Sequence, residues 1–125
     1  MEDNPAAEKT TTYGVGQLIE AAAKTGFDRL LQGADLVLTG EGRIDGQSLR
    51  GKVVVGVARR CQSQNVSVVA VVGDIADGAE AAYDAGVTAI SSISRRPMPF
   101  SESRFLSHHN MRLTMKNPIR LLSRL

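Results

Sequence analysis

The sequence predicts an α/β fold built from Rossmann-like, parallel βαβ units. Three short apolar segments, at residues 34–39, 66–72 and 87–93, have the length and composition of buried strands. The segments between them have the three- and four-residue apolar spacing of helices, and glycine-rich stretches follow the first two strands. Strands that alternate with helices in this way are typical of a parallel sheet with helices packed on its faces.

The composition excludes several classes of protein. A chain of 125 residues, 42% hydrophobic and 22% charged, is expected to form one soluble domain with a modest core. Aromatic residues make up only 4%, with no Trp, so nucleic acid is not an expected partner. No apolar run approaches the roughly 20 residues that span a bilayer. One cysteine, Cys61, and an acidic, polar N-terminus unlike a signal peptide predict a cytoplasmic location.

Charge and polarity divide the chain into three predicted parts. Residues 1–13 are predicted to be a disordered polar lead, residues 14–94 the α/β core, and residues 95–125 a basic, partly helical tail. The tail has seven basic residues and one acidic residue, whereas residues 1–94 have eight basic and twelve acidic residues. Such a tail is usually a solvated helix face, and the alternative is a contact with nucleic acid or a membrane.

The first elements follow from periodicity and glycine placement. Apolar positions recur at helical spacing over residues 16–31, which predicts one helix, or two short ones if Gly26 divides it. Gly33 is expected to end this helical region. A strand over residues 34–39 follows, and residues 40–46 are predicted to be a loop because three of the seven are glycines.

The later elements repeat the alternation. A helix is predicted over residues 51–62, with Cys61 on its apolar side as a core thiol. The β-branched segment 66–72 is predicted to be a central strand, and residues 73–78 a second loop at a strand end.

The limits of the last predicted helices come from a capping residue and from a proline. Asp77 is expected to cap a short helix over residues 78–85, which is followed by the strand at residues 87–93. In the tail, residues 101–117 are predicted to be helical, and Pro118 is expected to end that helix because it costs a helix interior about 3 kcal/mol.

The loop after the first strand has the residue types of a phosphoryl-transfer site. Ligands bind beyond the carboxyl ends of strands in open α/β sheets, and residues 40–52 lie there. Its glycines would let backbone N–H groups approach an anion, and Arg43 and Lys52 could neutralise a phosphate or a carboxylate. Glu41 and Asp45 could hold Mg²⁺ or accept a proton. The alternative is a plain connection in which Arg43 and Asp45 form a surface ion pair.

Two familiar nucleotide-binding motifs are incomplete. The Gly40-x-Gly42-x-x-Asp45 segment lacks the third glycine of the dinucleotide fingerprint. The GxxxxGK match that starts at Gly46 has Val53 where a P-loop needs a hydroxyl residue for Mg²⁺. Neither motif therefore defines the site.

Residues 34–52, ADLVLTGEGRIDGQSLRGK, resemble the type I glycerate kinases (glycerate 2-kinases). The hallmark of that family is close to ADLVITGEGRID, followed by a Gln, a hydroxyl residue and GK. The resemblance continues through residues 56–60 and 77–86 and is best over residues 25–94. It implies phosphorylation of D-glycerate to 2-phosphoglycerate with ATP and Mg²⁺. It also implies that this chain is a C-terminal piece of a two-domain α/β kinase, since members of the family are about three times longer.

The resemblance also implies which side chains line the cleft. The catalytic candidates are Asp45, Arg43 and Lys52. The candidates for binding substrate or nucleotide are Gly40, Glu41, Gly42, Gln47 and Ser48, with Asp74 added from the second loop, and Glu41 or Asp45 would hold the metal. Two alternatives to an active kinase piece stay open: a non-catalytic module that binds an anion or a nucleotide, and a subunit that complements a separate N-terminal portion or forms a homo-oligomer.

Overall fold

A computed structural model describes residues 26–46 and 53–125. Its elements are, in chain order, helix α1 (Phe27–Leu30), strand β1 (Leu36–Ile44), helix α2 (Val53–Ser63), strand β2 (Ser67–Ile75), helix α3 (Ala81–Asp84), strand β3 (Ala89–Ser92), helix α4 (Phe100–Ser103), a 3₁₀ turn (Arg104–Leu106) and helix α5 (Ser107–Leu122). The predicted helix over residues 16–31 lies outside the described residues except for α1.

The described strands form a three-stranded parallel sheet in the order β1-β2-β3. Leu36 pairs with Ser67 at the start of β1, and Val69 pairs with Ala89 at the start of β3. The predicted α/β fold with alternating helices and parallel strands is therefore confirmed. Parallel pairing places the carboxyl ends of β1 and β2 at one edge of the sheet.

Strand β1 is longer than its sequence predicts. The prediction of a loop over residues 40–46 is wrong, because the strand continues through Gly40, Glu41, Gly42 and Arg43 to Ile44. Parallel pairing with β2 supplies backbone partners for this glycine-rich stretch, including Glu41 with Val72. Ile44, the last residue of β1, is fully buried and anchors the end of this strand in the core.

The second loop is also shorter than predicted. Strand β2 continues to Ile75, so the prediction of a loop starting at residue 73 is wrong. The following helix starts at Ala81 rather than at residue 78, and Glu80 occupies its N-cap position without a side-chain hydrogen bond. The predicted capping role of Asp77 is therefore wrong, and this residue lies in the turn that leads to α3.

The core lies between the sheet and α2. One cluster joins Ile44 and Val72 to Val54 and Ala58 of α2. A second cluster contains Cys61, which has no exposed surface, so the prediction of a core thiol is confirmed. The Arg60 guanidinium donates to Asp28 at 2.8 Å and so ties α2 to α1.

Helix α5 packs against β2. Because Val68 and Val72 contact the side of α2, the alternating residues Val69 and Val71 face the side of α5. The prediction that Pro118 ends the tail helix is wrong, since α5 runs through it to Leu122. Pro118 is buried, and we attribute the tolerance of the missing N–H to this packing.

We expect the Cys61 thiol to resist chemical modification in the folded chain. Burial raises the pKa of this thiol above its ordinary value of 9.0, and the thiolate is the reactive form. Reaction with Ellman's reagent at about pH 8 should be slow in buffer and fast in denaturant. The stability that the neutral thiol contributes is complete below pH 9.0 and is lost as pH rises through the raised pKa. Equal rates in the two solvents would contradict the burial of this side chain.

Within residues 26–46 and 53–125, no helix has the length and apolar character needed to cross a membrane.

Candidate functional site

The carboxyl ends of β1 and β2 are held together by backbone contacts. The sheet register places Arg43 beside Asp74 and Ile44 beside Ile75. Beyond the strands, the Ala76 N–H donates to the Ile44 carbonyl oxygen at 2.9 Å. These contacts therefore fix the relative positions of the segments that follow β1 and β2.

A further backbone bond and a close glycine contact join these two segments. The Gly46 N–H donates to the Asp77 carbonyl oxygen at 3.3 Å. Gly78 has a φ of +82°, and a Cβ atom placed on it would lie 3.0 Å from the Gly46 Cα. A side chain at Gly78 would be strained and would separate the segments, so glycine is needed there.

Arg43 lies between two carboxylates at this edge. Its Nε atom is 3.7 Å from an Asp45 Oδ2 atom and 3.6 Å from an Asp74 Oδ2 atom. The side chains of Arg43 and Asp74 are 64% exposed and that of Asp45 is 25% exposed. Exposed ion pairs of this length contribute about 0–1 kcal/mol, so these contacts orient the guanidinium without consuming its capacity to bind an anion.

An open cleft of about 500 Å³ lies at this edge, lined by Arg43, Asp45, Gly46, Ala76 and Asp77. It therefore has one guanidinium and two carboxylates on its wall. A guanidinium can bind a phosphate or a carboxylate through paired N–H donors, and a carboxylate can accept a proton from a hydroxyl group. A guanidinium beside carboxylates is a charge pattern that also occurs in phosphoryl-transfer sites.

The structure brings only part of the predicted site together. Of the catalytic candidates, Arg43 and Asp45 line the cleft, whereas Lys52, like Gln47 and Ser48, lies outside the described residues. Asp74 reaches the site through its ion pair with Arg43.

The other candidates on β1 are placed away from the cleft. Glu41 is half-buried, faces the side of α2 in register with Val72, and has its Oε2 atom enclosed. Gly40 approaches β2, because a Cβ atom on it would lie 3.1 Å from the Val71 carbonyl oxygen. Gly42 lines a second, smaller cavity.

The sequence prediction missed Asp77 as a site residue. Its position in the second loop at a strand end was visible in the sequence, but the capping interpretation accounted for its carboxylate. The structure puts it on the cleft wall with Asp45 instead. Gly46 and Ala76 were missed as well, since they contribute backbone and carry no chemical signal in a sequence.

The carboxylates of the cleft suit a weakly held metal ion. Among residues 26–46 and 53–125, no three His, Cys, Asp or Glu side chains lie together as a ready ligand set. Mg²⁺ in phosphoryl-transfer enzymes is commonly held by one or two carboxylates, together with substrate phosphates and water. Asp45 and Asp77 fit that mode of binding.

Comparison with known proteins identifies the family. Residues 22–123 match the model of the glycerate kinase family, so the chain belongs to that family.

The relatives are considerably longer than this chain. A glycerate kinase from Bacillus cereus is 39% identical over 93 residues, which cover 74% of this chain and 24% of the relative. A glycerate kinase from Bacillus subtilis is 38% identical over 90 residues, covering 72% of this chain and 23% of the relative. A glycerate 2-kinase from Escherichia coli is 40% identical over 58 residues, covering 46% of this chain and 15% of the relative. The match to the first of these relatives thus spans about a quarter of its length.

Proposed function

We propose that this chain carries part of the active site of a kinase that transfers phosphate from ATP to D-glycerate, giving 2-phosphoglycerate. The observation that supports it most is Arg43, which lies between Asp45 and Asp74 at an open cleft beyond the strand ends. The proposed substrate comes from the relatives, which are named glycerate kinase and glycerate 2-kinase.

The proposed reaction needs charge stabilisation and one proton acceptor. The acceptor hydroxyl oxygen of glycerate forms a bond to the γ-phosphorus of ATP, and the bond from that phosphorus to the bridging oxygen breaks to release ADP. Arg43, with Lys52, stabilises the negative charge on the transferred group. Asp45 accepts the proton that the hydroxyl group loses. Positioning and charge account for most of such catalysis.

The remaining candidates are assigned to binding. The backbone at Gly42, the side chains of Gln47 and Ser48, and the Asp74 carboxylate would position substrate or nucleotide, whereas Gly40 would serve the close approach of β1 to β2. Glu41 is half-buried behind β1, so we propose that it supports the strand end rather than touching ligand. Asp77 would hold Mg²⁺ together with the nucleotide phosphates, and the ion would supply charge neutralisation when bound.

The organisation of the chain is also part of the proposal. Residues 14–94 would form the catalytic core segment, with the polar lead and the basic tail at either side. Residues from elsewhere in a longer kinase, or from a separate chain, would complete the cleft. A cytoplasmic location accords with the single buried cysteine.

The test is a segment-replaced enzyme, in which residues 22–123 replace the matching part of the Bacillus cereus relative. We expect this enzyme to release ADP from ATP with Mg²⁺ only when D-glycerate is present. The control is the same assay with the unmodified relative. A replaced enzyme that is folded by circular dichroism but forms no glycerate-dependent ADP would contradict the proposal.

A further inference from the structure

A second cavity lies beside the cleft, on the side of the sheet that α5 covers. Its volume is about 90 Å³, room for roughly three water molecules. The strand ends contribute Gly42, Gly73 and Asp74, and the helical segment contributes Ser103, Ser107 and Asn110. Gly42 and Asp74 were predicted from the sequence as binding candidates, whereas the residues from the helical segment were not predicted to belong to a site.

Asp74 connects the cavity to the cleft. Asp74 lines the cavity, and its Oδ2 atom lies 3.6 Å from the Arg43 Nε atom on the cleft wall. A molecule in the cavity would therefore lie next to the group that binds the transferred phosphate.

The serine hydroxyls of the cavity are available mainly as acceptors. The Ser94 hydroxyl donates to the Gly73 carbonyl at 3.3 Å, and the Ser107 hydroxyl donates to the Arg104 carbonyl at 3.0 Å. The Ser103 hydroxyl likewise donates to the Phe100 carbonyl at 3.4 Å. A serine has one donor and two lone pairs, so each of these oxygens keeps acceptor capacity.

Asn110 is the buried polar residue of the cavity. It is 7% exposed and is one of the buried residues of α5. The amide atoms of Asn110 are not sealed from the cavity, so a polar occupant could hydrogen-bond to them. The amide offers both donors and an acceptor.

Because most polar groups that line the cavity are hydrogen-bond acceptors, the cavity favours an occupant that donates hydrogen bonds. The Asp74 carboxylate would repel a phosphate, whereas hydroxyl groups could donate to Asp74 and to the serine oxygens. The volume is too small for a nucleoside. We propose that this cavity binds the hydroxyl end of the small hydroxy acid that accepts the phosphate. This assignment rests on the proposed function.

The test is a titration of the ¹⁵N-labelled 125-residue chain with D-glycerate, followed by amide chemical shifts. We expect shifts at Ser94, Ser103, Ser107 and Asn110. Ser107→Leu should fill the cavity and raise the Kd at least about tenfold. Ser123→Leu is the matched control, because the Ser123 hydroxyl makes the same bond to the carbonyl three residues earlier and lies outside the cavity.

A second variant separates binding from folding. Asn110→Leu keeps the volume of a buried side chain and removes its polar atoms, so we expect it to stay folded and to lose the shifts. Glycerate-induced shifts confined to Arg43, Asp45 and Asp77 would overturn the cavity assignment and leave the proposed kinase function standing. Shifts nowhere in the chain would also overturn it. Failure of the proposed function would instead appear as absent ADP formation by the segment-replaced enzyme.

Discussion

Replacing Arg43 by glutamine should lower the kcat of the segment-replaced enzyme about 100-fold or more. Arg43 is the arginine that lines the cleft in the described part of the chain, and two carboxylates orient it there. Loss of one preorganised group that stabilises developing charge costs about 2.7–4 kcal/mol in the transition state. Glutamine keeps hydrogen-bonding capacity and removes the charge, so the change isolates the electrostatic role. Steady-state kinetics with saturating ATP and D-glycerate measure it.

The matched control is Arg59→Gln. Arg59 is an exposed arginine on α2 that does not line the cleft. It should leave kcat within about twofold, since surface substitutions away from such features change little. A kcat for Arg43→Gln within about threefold of the unsubstituted enzyme, with an unchanged circular dichroism spectrum, would exclude Arg43 from charge stabilisation.

Replacing Gly73 by alanine should destabilise the chain more than any exposed substitution at this edge. A Cβ atom on Gly73 would lie 2.6 Å from the Gly42 carbonyl oxygen, which is backbone and cannot rotate away. The strands would have to separate where the cleft begins. Such overpacking costs about 1–3 kcal/mol. A loss of that size should lower the Tm of the 125-residue chain by roughly 5–15 °C.

Gly42, on the other side of this contact, provides the control. A Cβ atom on Gly42 would meet no atom within 4 Å, so Gly42→Ala tests the same substitution on the facing strand without the clash. We expect its Tm to stay within about 3 °C of the unsubstituted chain. Equal Tm changes for the two variants, measured by thermal circular dichroism, would mean that the approach of β1 to β2 is looser than described.

The sequence predicted the alternation of strands and helices because burial enforces it. The β-branched run in β2 and the apolar face of α2 are strong local signals, and both elements occur where those signals lie. The core position of Cys61 followed from the same periodicity.

The ends of the strands could not be predicted because they depend on pairing with another strand that is distant in sequence. The glycines at positions 40 and 42 indicate a loop when considered alone. Their backbone becomes a strand because β2 runs beside it, a contact that depends on residues about thirty positions later. Pro118 is similar, since its burial against the rest of the fold outweighs a local rule against proline in helices.

The sequence indicated two of the charged residues that line the cleft, but it did not indicate which other residues the fold brings beside them. Arg43 and Asp45 lie on the cleft wall, as expected of a polar segment at a strand end. Asp77 was missed because a carboxylate before a short helix has an ordinary structural explanation. Asn110 was missed because no sequence pattern indicates that the tail helix would bring an amide to the sheet edge.

The most direct test of the account is to locate the nucleotide on the folded chain. The ¹⁵N-labelled 125-residue protein would be titrated with Mg²⁺ and a non-hydrolysable ATP analogue, with amide shifts assigned for residues 26–46 and 53–125. The account predicts the largest shifts at Arg43, Asp45, Gly46 and Asp77, and their loss in Arg43→Gln. Shifts confined to the basic residues of α5, or no shifts at saturating analogue, would contradict a phosphoryl-transfer site at the carboxyl edge of this sheet.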